Sequence, residues 1–426
     1  MNDFIPKQIE LYLNKKAEKK WLIQNREKHF RTVVVVPVIK ELDNIPKLLS
    51  SLSKNETSAI KSTLILFVVN NSEENEKEVI EENILTIEFL RKLKSEPNQY
   101  GLNIDFVDAA SENKYLPAKY AGVGLARKIG MDQALYYFDY SKKGNAIVCL
   151  DADCEVDANY LTEIRKYYDG NNHTAVIKYE HKLDNEAIIN YEIFLRYYVL
   201  GLKLAKSPYA YHSIGSCITV SPISYAKIGG MNKKKAGEDF YFLEKAAKLE
   251  DIKSINTTTV YPSSRKSWRV PFGTGQRITR YHKKVRDEYV LYNADSFWVL
   301  KEFLNVYRNE RTNDPNEILR TVKTISKDLY EFLINNQFES ALNKIIENAA
   351  TVEQLNHQKK LWFDAFKTLK LIHYLRDNEY PEEPMFTTLN RIFDLFGITD
   401  FDKYLFHDVP PVKKQIEYLN LLRKLT

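Results

Sequence analysis

Four runs of apolar residues in the first part of the chain have the length and composition of buried β-strands. "RTVVVVPV" (31–38) is continuous and β-branched, which is typical of a strand buried on both faces of a parallel sheet. "LILFVVNNS" (64–72), "IDFVDAA" (104–110) and "NAIVCLDAD" (145–153) follow at intervals that leave room for helices. The pattern therefore predicts strands at all four places.

The polar segments between these runs predict helices. "ELDNIPKLLSSL" (41–52) opens with Asp43 or Asn44 as a cap and has Pro46 in its first turn. Further helices are predicted in the gaps at 75–94, 118–138 and 157–168. Strands that alternate with helices form an open, mostly parallel α/β sheet, and such sheets bind ligands at the carboxyl ends of their strands.

Helical spacing dominates the last third of the chain. Thirteen of the fourteen glycines lie between Gly101 and Gly275, and apolar residues recur at three- and four-residue spacing after residue 290. We therefore predict an N-terminal segment (1–30) with a basic amphipathic helix over 3–30, then an α/β domain and a helical domain. The predicted bounds of these two domains are 31–290 and 291–426.

Composition and charge restrict the class of protein and its partners. A chain of 426 residues with 44% hydrophobic and 28% charged residues can bury a large core, which excludes a disordered protein. The net charge of +5 arises from 62 basic and 57 acidic residues, a mixed surface that gives no reason to expect nucleic acid as a partner. Cys149, Cys154 and Cys217 lack metal-site spacing, so we expect buried thiols in a reducing compartment.

No apolar segment predicts a membrane span. "MNDFIPKQIELYLNKK" at the N-terminus is charged throughout and lacks the apolar core of a signal peptide. "YEIFLRYYVLGLKLA" (191–205) contains Glu192, Arg196 and Lys203 and is too short to cross a bilayer. We therefore expect a cytoplasmic protein, with a peripheral membrane contact left open.

Acidic residues cluster where the fourth apolar run ends. "LDADCEVD" (150–157) contains Asp151, Asp153, Glu155 and Asp157, and like charges at this density repel unless a cation lies among them. Carboxylate oxygens suit Mg²⁺ or Mn²⁺, which complete their shells with water and substrate phosphates. The alternatives are a solvated turn and a cation site, and the position directly after a buried strand favours the cation site.

A second acidic pair, Glu238 and Asp239, stands at a predicted helix N-terminus in "KKKAGEDFYFLEKAAKL" (233–249). Ordinary capping would explain it, because acidic side chains are favourable there. A carboxylate held rigidly at the edge of a site could instead accept a proton from a hydroxyl group. Upstream, "SIGSCITVSPISYAKIGGMN" (213–232) predicts a small-residue strand, a short helix and a glycine turn, where a ligand could approach the backbone.

The order of these motifs resembles the family 2 glycosyltransferases of GT-A fold over about residues 31–285. The resemblance rests on the Val-rich strand ending at Pro37, followed by "VVNNS", "AGVGLARKIGMDQAL", "LDADCEVD" and "GGMNKKKAGEDFYFLEKA". It implies a nucleotide-sugar donor and a Mn²⁺ or Mg²⁺ ion on the donor diphosphate. It also implies transfer of the sugar to a hydroxyl acceptor, which could be a saccharide, a lipid-linked glycan or a small molecule.

The resemblance further implies roles for individual residues. Asp151 and Asp153 would hold the metal ion and the diphosphate, and Asp239 would be the catalytic base with Glu238 beside it. A single displacement with that base inverts the configuration at the anomeric carbon. The residues expected on the donor side are Pro37, Asn70, Asn71, Arg127 and Asp151.

Two departures from the family pattern concern specificity. Asn70 and Asn71 stand where an acidic pair is usual, which changes the groups of the nucleotide that they can recognise. "RITRY" (277–281) matches the Q-x-x-R-W element of processive members only in part. Without transmembrane helices, we do not expect a polymer-extruding enzyme.

The segment "SSRKSWRVPFGTGQRITRYH" (263–282) is basic, aromatic and rich in glycine. Its arginines could pair with a diphosphate and Trp268 could stack on a sugar, and the alternative is a solvated loop. His282 could complete a metal shell or be structural. The donor-binding candidates in this loop are Trp268, Arg269, Arg277 and Arg280.

Two functions from other classes compete with glycosyl transfer. A sugar-phosphate nucleotidyltransferase would be expected to carry a Gly-rich, basic phosphate loop after its first strand, and "VPVIKELDNIPK" contains no glycine. A non-catalytic nucleotide-sugar-binding or scaffold protein would be expected to lose one of the acidic motifs, and both are present. The sequence therefore favours a glycosyltransferase.

Overall fold

The structure, a computed structural model, describes residues 5–23, 29–95, 97–265, 279–281, 283, 287–309, 313–406 and 408–426. The chain divides into two compact units. The first comprises residues 1–182 and 213–276, and the second comprises 183–212 and 277–426. Residues 183–212, which the sequence pattern placed in the α/β domain, thus belong to the second unit.

An eight-stranded sheet forms the centre of the first unit. Its strands are β1 (Thr32–Val38), β2 (Thr63–Asn70), β3 (Asn103–Ala109), β4 (Ala146–Cys149), β5 (Glu155–Val156), β6 (Thr174–Tyr179), β7 (Ile218–Val220) and β8 (Lys253–Tyr261). Their order in the sheet is β3-β2-β1-β4-β7-β6-β8-β5. Strands β1 to β4 are parallel to one another, as are β6 and β8. β7 runs antiparallel between β4 and β6, and β5 runs antiparallel to β8.

The predicted open α/β sheet is confirmed, and its second half is more mixed than the sequence suggested. The four apolar runs form β1 to β4 within a few residues of their predicted bounds. β1 and β2 are buried at almost every position, which explains their unbroken apolar sequences. β6 and β8 were not predicted, and the insertion of β7 between β4 and β6 introduces the antiparallel pairings.

Helices pack closely against this sheet. The helices of the first unit are α1 (Lys7–Lys16), α2 (Ile45–Leu52), α3 (Thr57–Lys61), α4 (Lys77–Ser95), α5 (Val123–Ala134), α6 (Tyr160–Asp169), α8 (Pro222–Ile228) and α9 (Glu238–Leu249). α5 packs on β1 and β2, and a Cβ atom added at Gly130 would lie 2.3 Å from Val35 and 2.8 Å from Val68. Only glycine therefore allows this helix to approach the sheet so closely.

The N-terminal helix is shorter than predicted. α1 covers residues 7–16, and the backbone at Ala17 is extended. The amide of Glu18 donates to the buried carboxylate of Asp132 at 3.1 Å, so a tertiary contact stabilises the extended path. The prediction of one helix over 3–30 was therefore wrong in its length, and residues 24–28 lie outside the described ones.

The second unit is helical, as predicted for the C-terminal region. Helix α7 (Glu186–Leu204) buries apolar residues such as Ile193 and Tyr197 in the same core as Phe297 and Leu300 of the helix Ala294–Tyr307. The further helices are Pro315–Ile325, Lys327–Asn335, Phe338–Asn348, Val352–Trp362, Ala365–Asp377, Met385–Leu395 and Val412–Leu425. Val290–Leu291 and Glu383–Pro384 form a small antiparallel pair.

Two further features concern the cysteines and the lengths of the helices. Cys149, Cys154 and Cys217 are buried free thiols, as expected. None of the helices in the described ranges is both long and apolar enough to pass through a bilayer.

Candidate active site

The carboxyl ends of four parallel strands meet at one edge of the sheet. Val38 of β1 is in register with Val69 of β2, and Asn70 is in register with Ala109 of β3. β4 ends beside β1 and is followed at once by Leu150 and Asp151. The residues at this edge of the sheet therefore include Pro37, Asn70, Asn71, Asp151 and Asp153. The sequence pattern predicted a ligand site at this place.

Arg127 joins the two acidic motifs at this edge. It lies on α5 with only 3% of its side chain exposed. One guanidinium nitrogen, Nη2, donates to Oδ1 of Asp151 at 2.5 Å, and Nη1 forms an ion pair with Glu238. Burial alone would lower the pKa of Arg127, but the two carboxylates raise it above its usual value. The guanidinium is thus a fixed positive charge between the end of β4 and the start of α9.

Glycines allow the chain to close around Arg127. A Cβ atom at Gly215 would lie 2.2 Å from Nη1 of Arg127, so only glycine lets the guanidinium rest on this backbone. A Cβ atom at Gly124 would lie 2.2 Å from the carbonyl oxygen of Lys234 and 3.0 Å from Cβ of Glu238. The group that approaches the backbone at Gly215 is therefore the buried Arg127, and the approach of a ligand to the segment 213–232 stays a prediction.

The first turn of α9 carries Glu238 and Asp239. Gly237 precedes it with φ of 69°, a left-handed conformation that favours glycine. Asn232 holds the turn by donating its side-chain amide to the carbonyl oxygen of Glu238 at 2.8 Å. Glu238 is buried against Arg127, whereas Asp239 is half-buried and accepts from the amide of Phe240 at 2.7 Å. The two carboxylates of the pair therefore have different surroundings.

Burial raises the pKa of both carboxyl groups. For Glu238 the nearby Arg127 opposes this effect, and the neighbouring Asp239 adds to it. For Asp239 burial again raises the pKa and Arg127 lowers it. A carboxyl group with a raised pKa is a stronger base once it is ionised, so this pair is suited to accept a proton near neutral pH.

Asp153 has a partner that the sequence did not reveal. Nε of Arg265 donates to Oδ2 of Asp153 at 2.8 Å, and the same guanidinium pairs with the buried carboxylate of Glu41, just after β1. The neighbouring residue, Lys40, has φ of 53°, which is unusual for a residue other than glycine. Glu41 was not a sequence candidate, and the only available signal was a polar residue soon after a buried strand.

The donor set of Asp151 and Asp153 fits a divalent cation that shares its shell with a substrate. Their side chains are 37% and 22% exposed, so both can be reached from solvent. Among the described residues, no three His, Cys, Asp or Glu side chains converge into a complete ion site. Mg²⁺ is commonly held by one or two carboxylates together with water and substrate phosphates. His282, the third predicted ligand, lies outside the described residues.

Asn70 and Asn71 are at the predicted edge, but they are buried and hydrogen-bonded. Nδ2 of Asn70 donates to the carbonyl oxygens of Val38 and Val68, at 3.0 and 3.2 Å. Asn83 of α4 donates to Oδ1 of Asn71 at 2.8 Å and to the carbonyl oxygen of Asn70 at 3.1 Å. These side chains therefore hold the ends of β1 and β2 together. Any contact with a nucleotide would compete with these bonds.

Of the remaining donor-side candidates, the structure describes Arg280. Arg280 belongs to the second unit, where Nε and Nη2 donate to the two carboxylate oxygens of Glu288 at 3.1 and 3.3 Å. This pairing provides a structural role for Arg280, and its role toward a donor stays a prediction. Trp268, Arg269 and Arg277 lie outside the described residues, as does most of the loop 263–282.

Several solved structures are similar to this chain. S. aureus TarS (residues 1–349) in complex with UDP-GlcNAc has 14% identity and a TM-score of 0.42, with 78% of this chain and 90% of TarS 1–349 covered. The mannosyltransferase PcManGT of Pyrobaculum calidifontis, in complex with GDP-Man and Mn²⁺, has 13% identity and a TM-score of 0.36, with coverage of 86% and 90%. Glucosyl-3-phosphoglycerate synthase of Mycobacterium tuberculosis, with Mn²⁺, UDP and glucosyl-3-phosphoglycerate, has 10% identity and a TM-score of 0.33, with coverage of 66% and 85%.

All three hold a nucleotide or a nucleotide sugar. Identities and TM-scores are low, so no residue role is transferred from these proteins to the chain. No protein-family model matches the sequence, and no curated protein matches it.

Proposed function

We propose that this protein is a glycosyltransferase that moves a sugar from a nucleotide-diphosphate donor to a hydroxyl acceptor, with a divalent cation and with inversion at the anomeric carbon. The observation that carries the proposal is the bridge from Asp151 through Arg127 to Glu238. It brings a carboxylate suited to a metal–diphosphate complex and a carboxylate pair suited to proton transfer to one edge of the sheet.

The donor would bind above the ends of β1 and β4. Asp151 and Asp153 would hold a Mn²⁺ or Mg²⁺ ion together with the donor diphosphate. The bound ion would act as a Lewis acid that stabilises negative charge on the leaving nucleoside diphosphate. Arg127 contributes a further positive charge beside Asp151, and its hydrogen bonds through Nη1 and Nη2 to Glu238 and Asp151 hold that charge in place.

Asp239 would accept the proton of the acceptor hydroxyl group. Asp239 is half-buried at the start of α9, whereas Glu238 is fully buried and paired with Arg127. Glu238 would therefore fix the turn and the charge of Arg127, and Asp239 would be the carboxylate that a substrate reaches. The oxygen that loses its proton to Asp239 attacks the anomeric carbon, and the bond from that carbon to the diphosphate breaks. One displacement of this kind inverts the configuration.

The structure favours this function over the two alternatives. The turn after β1 contains no glycine, and its two charged residues Lys40 and Glu41 are already paired, with Glu78 and Arg265 respectively. That observation disfavours a nucleotidyltransferase with a phosphate loop at this place. A scaffold protein would have no need of a buried arginine between two acidic motifs, since burial of charge is costly unless it is compensated.

Release of nucleoside diphosphate from a panel of nucleotide sugars tests the proposal. The full chain is incubated with each donor and Mn²⁺, with and without a chelator, and free nucleoside diphosphate is measured. We expect slow hydrolysis of one donor, which the chelator abolishes. Release of pyrophosphate from a nucleoside triphosphate and a sugar phosphate would instead show a nucleotidyltransferase.

A further inference from the structure

A group of lysines around one tyrosine lies next to the first turn of α9, apart from the residues that would hold the donor, the cation and the base. We call Lys119, Tyr120, Lys233, Lys234 and Lys235 the lysine surface. The ring of Tyr120 is 38% exposed, and the ammonium groups of Lys119 and Lys233 lie 5.3 and 5.6 Å from its centroid. These residues come from two segments, one before α5 and one before α9.

Close backbone contacts attach the lysine surface to the active site. A Cβ atom at Gly122 would lie 2.9 Å from Cα of Lys235, and one at Gly124 would collide with the carbonyl oxygen of Lys234. The ammonium of Lys234 lies 4.0 Å from the ring centroid of Tyr241, in the same first turn of α9 as Asp239. The two segments are therefore held together at the first turn of α9.

The positive charge of this surface is only partly neutralised. Lys233 forms an ion pair with Glu18 at 2.5 Å. Lys119, Lys234 and Lys235 are exposed and form no ion pair with any other residue that the structure describes. Exposed lysines without an ion-pair partner make the local potential positive, which favours an anion at this surface. The chain as a whole has a net charge of only +5, so this concentration is local.

The same charge continues onto the N-terminal segment. Lys16 and Lys20 are exposed, and the ammonium of Lys16 lies 2.9 Å from a Cβ atom built on Gly229. Lys20 donates to the carbonyl oxygen of Tyr115 at 3.4 Å, beside the segment that carries Lys119. A surface that extends over several lysines suits an anion with more than one charged group.

We propose that the lysine surface binds the acceptor and that the acceptor is polyanionic and bears phosphate groups. This inference rests on the proposed function, because Asp239 can take a proton only from an acceptor hydroxyl that lies beside the first turn of α9. The rest of such an acceptor must lie along the segments next to that turn, and these carry Lys119, Lys234 and Lys235. Lysine ammonium groups bind phosphate as point charges, and an exposed tyrosine can pack on a sugar ring between the phosphates.

Equilibrium binding of a fluorescein-labelled inorganic polyphosphate to the full chain tests the inference. We compare the wild type, Lys234→Gln/Lys235→Gln and the control Lys54→Gln/Lys61→Gln. The control removes the same charge from exposed lysines near the amino end of β2, at the opposite edge of the sheet. We expect the first variant to bind at least about 10-fold more weakly and the control to bind like the wild type, since each lost phosphate contact is charge-assisted.

A competition experiment and a vesicle experiment distinguish an acceptor site from a donor site and from a membrane-binding surface. Saturating UDP or GDP with Mn²⁺ should leave polyphosphate bound, because the donor and the acceptor occupy different places. Displacement by either nucleotide would overturn the inference, since the lysines would then serve the donor diphosphate. Equal weakening in both variants, or lysine-dependent binding to phosphatidylglycerol vesicles in preference to polyphosphate, would also overturn it. Failure of the proposed function would appear separately, as no nucleotide release from any donor.

Discussion

Arg127 donates to Asp151 with one guanidinium nitrogen and to Glu238 with the other. A single side chain of α5 thereby joins the end of β4 to the beginning of α9. The acidic cluster after β4, whose like charges would otherwise repel, has a buried positive charge as its neighbour. The same charge holds the carboxylate pair of α9 in place.

Replacement of Arg127 by lysine should weaken the fold as well as the site. The single ammonium group of lysine cannot donate in both directions as the guanidinium does, so either Glu238 or Asp151 loses its partner. We expect the free energy of unfolding to fall by about 1–3 kcal/mol, the cost of one unsatisfied buried polar group. Urea unfolding measures this change, with Arg91→Lys on the exposed face of α4 as the control. Equal stability of the two variants would contradict the structural role of the bridge.

Removal of either aspartate after β4 should abolish cation-dependent donor binding. We expect Asp151→Ala and Asp153→Ala to remain folded, because both side chains are partly exposed and Arg265 and Arg127 each keep a second carboxylate. The rise in melting temperature on addition of Mn²⁺ and nucleoside diphosphate should disappear in both variants. Asp251→Ala, a change at an exposed aspartate, should keep it. A full thermal shift in both site variants would exclude these carboxylates as the metal ligands.

Turnover should depend on pH near neutrality. Asp239 must be ionised to accept a proton, and its folded-state pKa lies above the usual value because burial disfavours its charged form and the charge of Asp151 adds to that effect. The rate should therefore fall as the pH drops, and the fall should begin at a higher pH than for an ordinary aspartate, which titrates at about 4. The free energy of unfolding changes with pH in the opposite direction to the rate. A carboxyl group whose pKa is raised in the folded state stabilises that state at a pH below its unfolded pKa, and this stabilisation is lost as the pH rises through the folded pKa. A pH–rate profile of the wild type measures the first effect, and a rate that falls only around about pH 4, as for an ordinary aspartate, would be inconsistent with a raised pKa.

A buried cluster of hydrogen bonds around Asp132 of α5 should hold the N-terminal helix α1 against the rest of the first unit. The hydroxyl groups of Tyr12 and Tyr225 donate to Oδ1 of Asp132 at 2.6 and 2.7 Å, and Lys128 pairs with Oδ2 at 3.1 Å. Loss of one hydroxyl in Tyr12→Phe should cost about 0.5–1.5 kcal/mol of stability. Asp132→Asn leaves the Lys128 charge buried without its partner and should cost about 3–5 kcal/mol. Chemical denaturation measures the loss of stability in both variants. A larger loss in Tyr12→Phe than in Asp132→Asn would contradict the prediction.

The sequence pattern predicted those strands of the sheet that are buried on both faces. β1 and β2 consist almost entirely of apolar residues, so their pattern has one interpretation. β8 could not be recognised in this way, because Lys253 and Ser254 are exposed at its start and only its second half is buried. The early end of α1 depends on Asp132, more than a hundred residues away in the sequence, and no local pattern contains that contact.

The same distinction holds for the candidate site. Asp151 and Glu238 could be predicted because each follows a local signal, a strand end and a helix start. Arg127 was itself a donor-side candidate, but its pairing with both acidic motifs could not be predicted, because Arg127 and Glu238 are 111 residues apart and meet only through the fold. Arg265 and Glu41 show the same limit, since a separation of 224 residues leaves no pattern in the sequence.

Turnover of Asp239→Asn is the most direct test of the account. Asparagine has nearly the same size and its side-chain oxygen can still accept from the amide of Phe240, but it cannot accept the proton of a hydroxyl group. With the donor found in the nucleotide-sugar panel, the variant should bind donor and Mn²⁺ as the wild type does and should melt at nearly the same temperature. Its turnover should be at least about 100-fold lower, the scale of lost general-base catalysis, with a milder loss in Glu238→Gln. Transfer at the wild-type rate by Asp239→Asn would show that the catalytic base lies elsewhere.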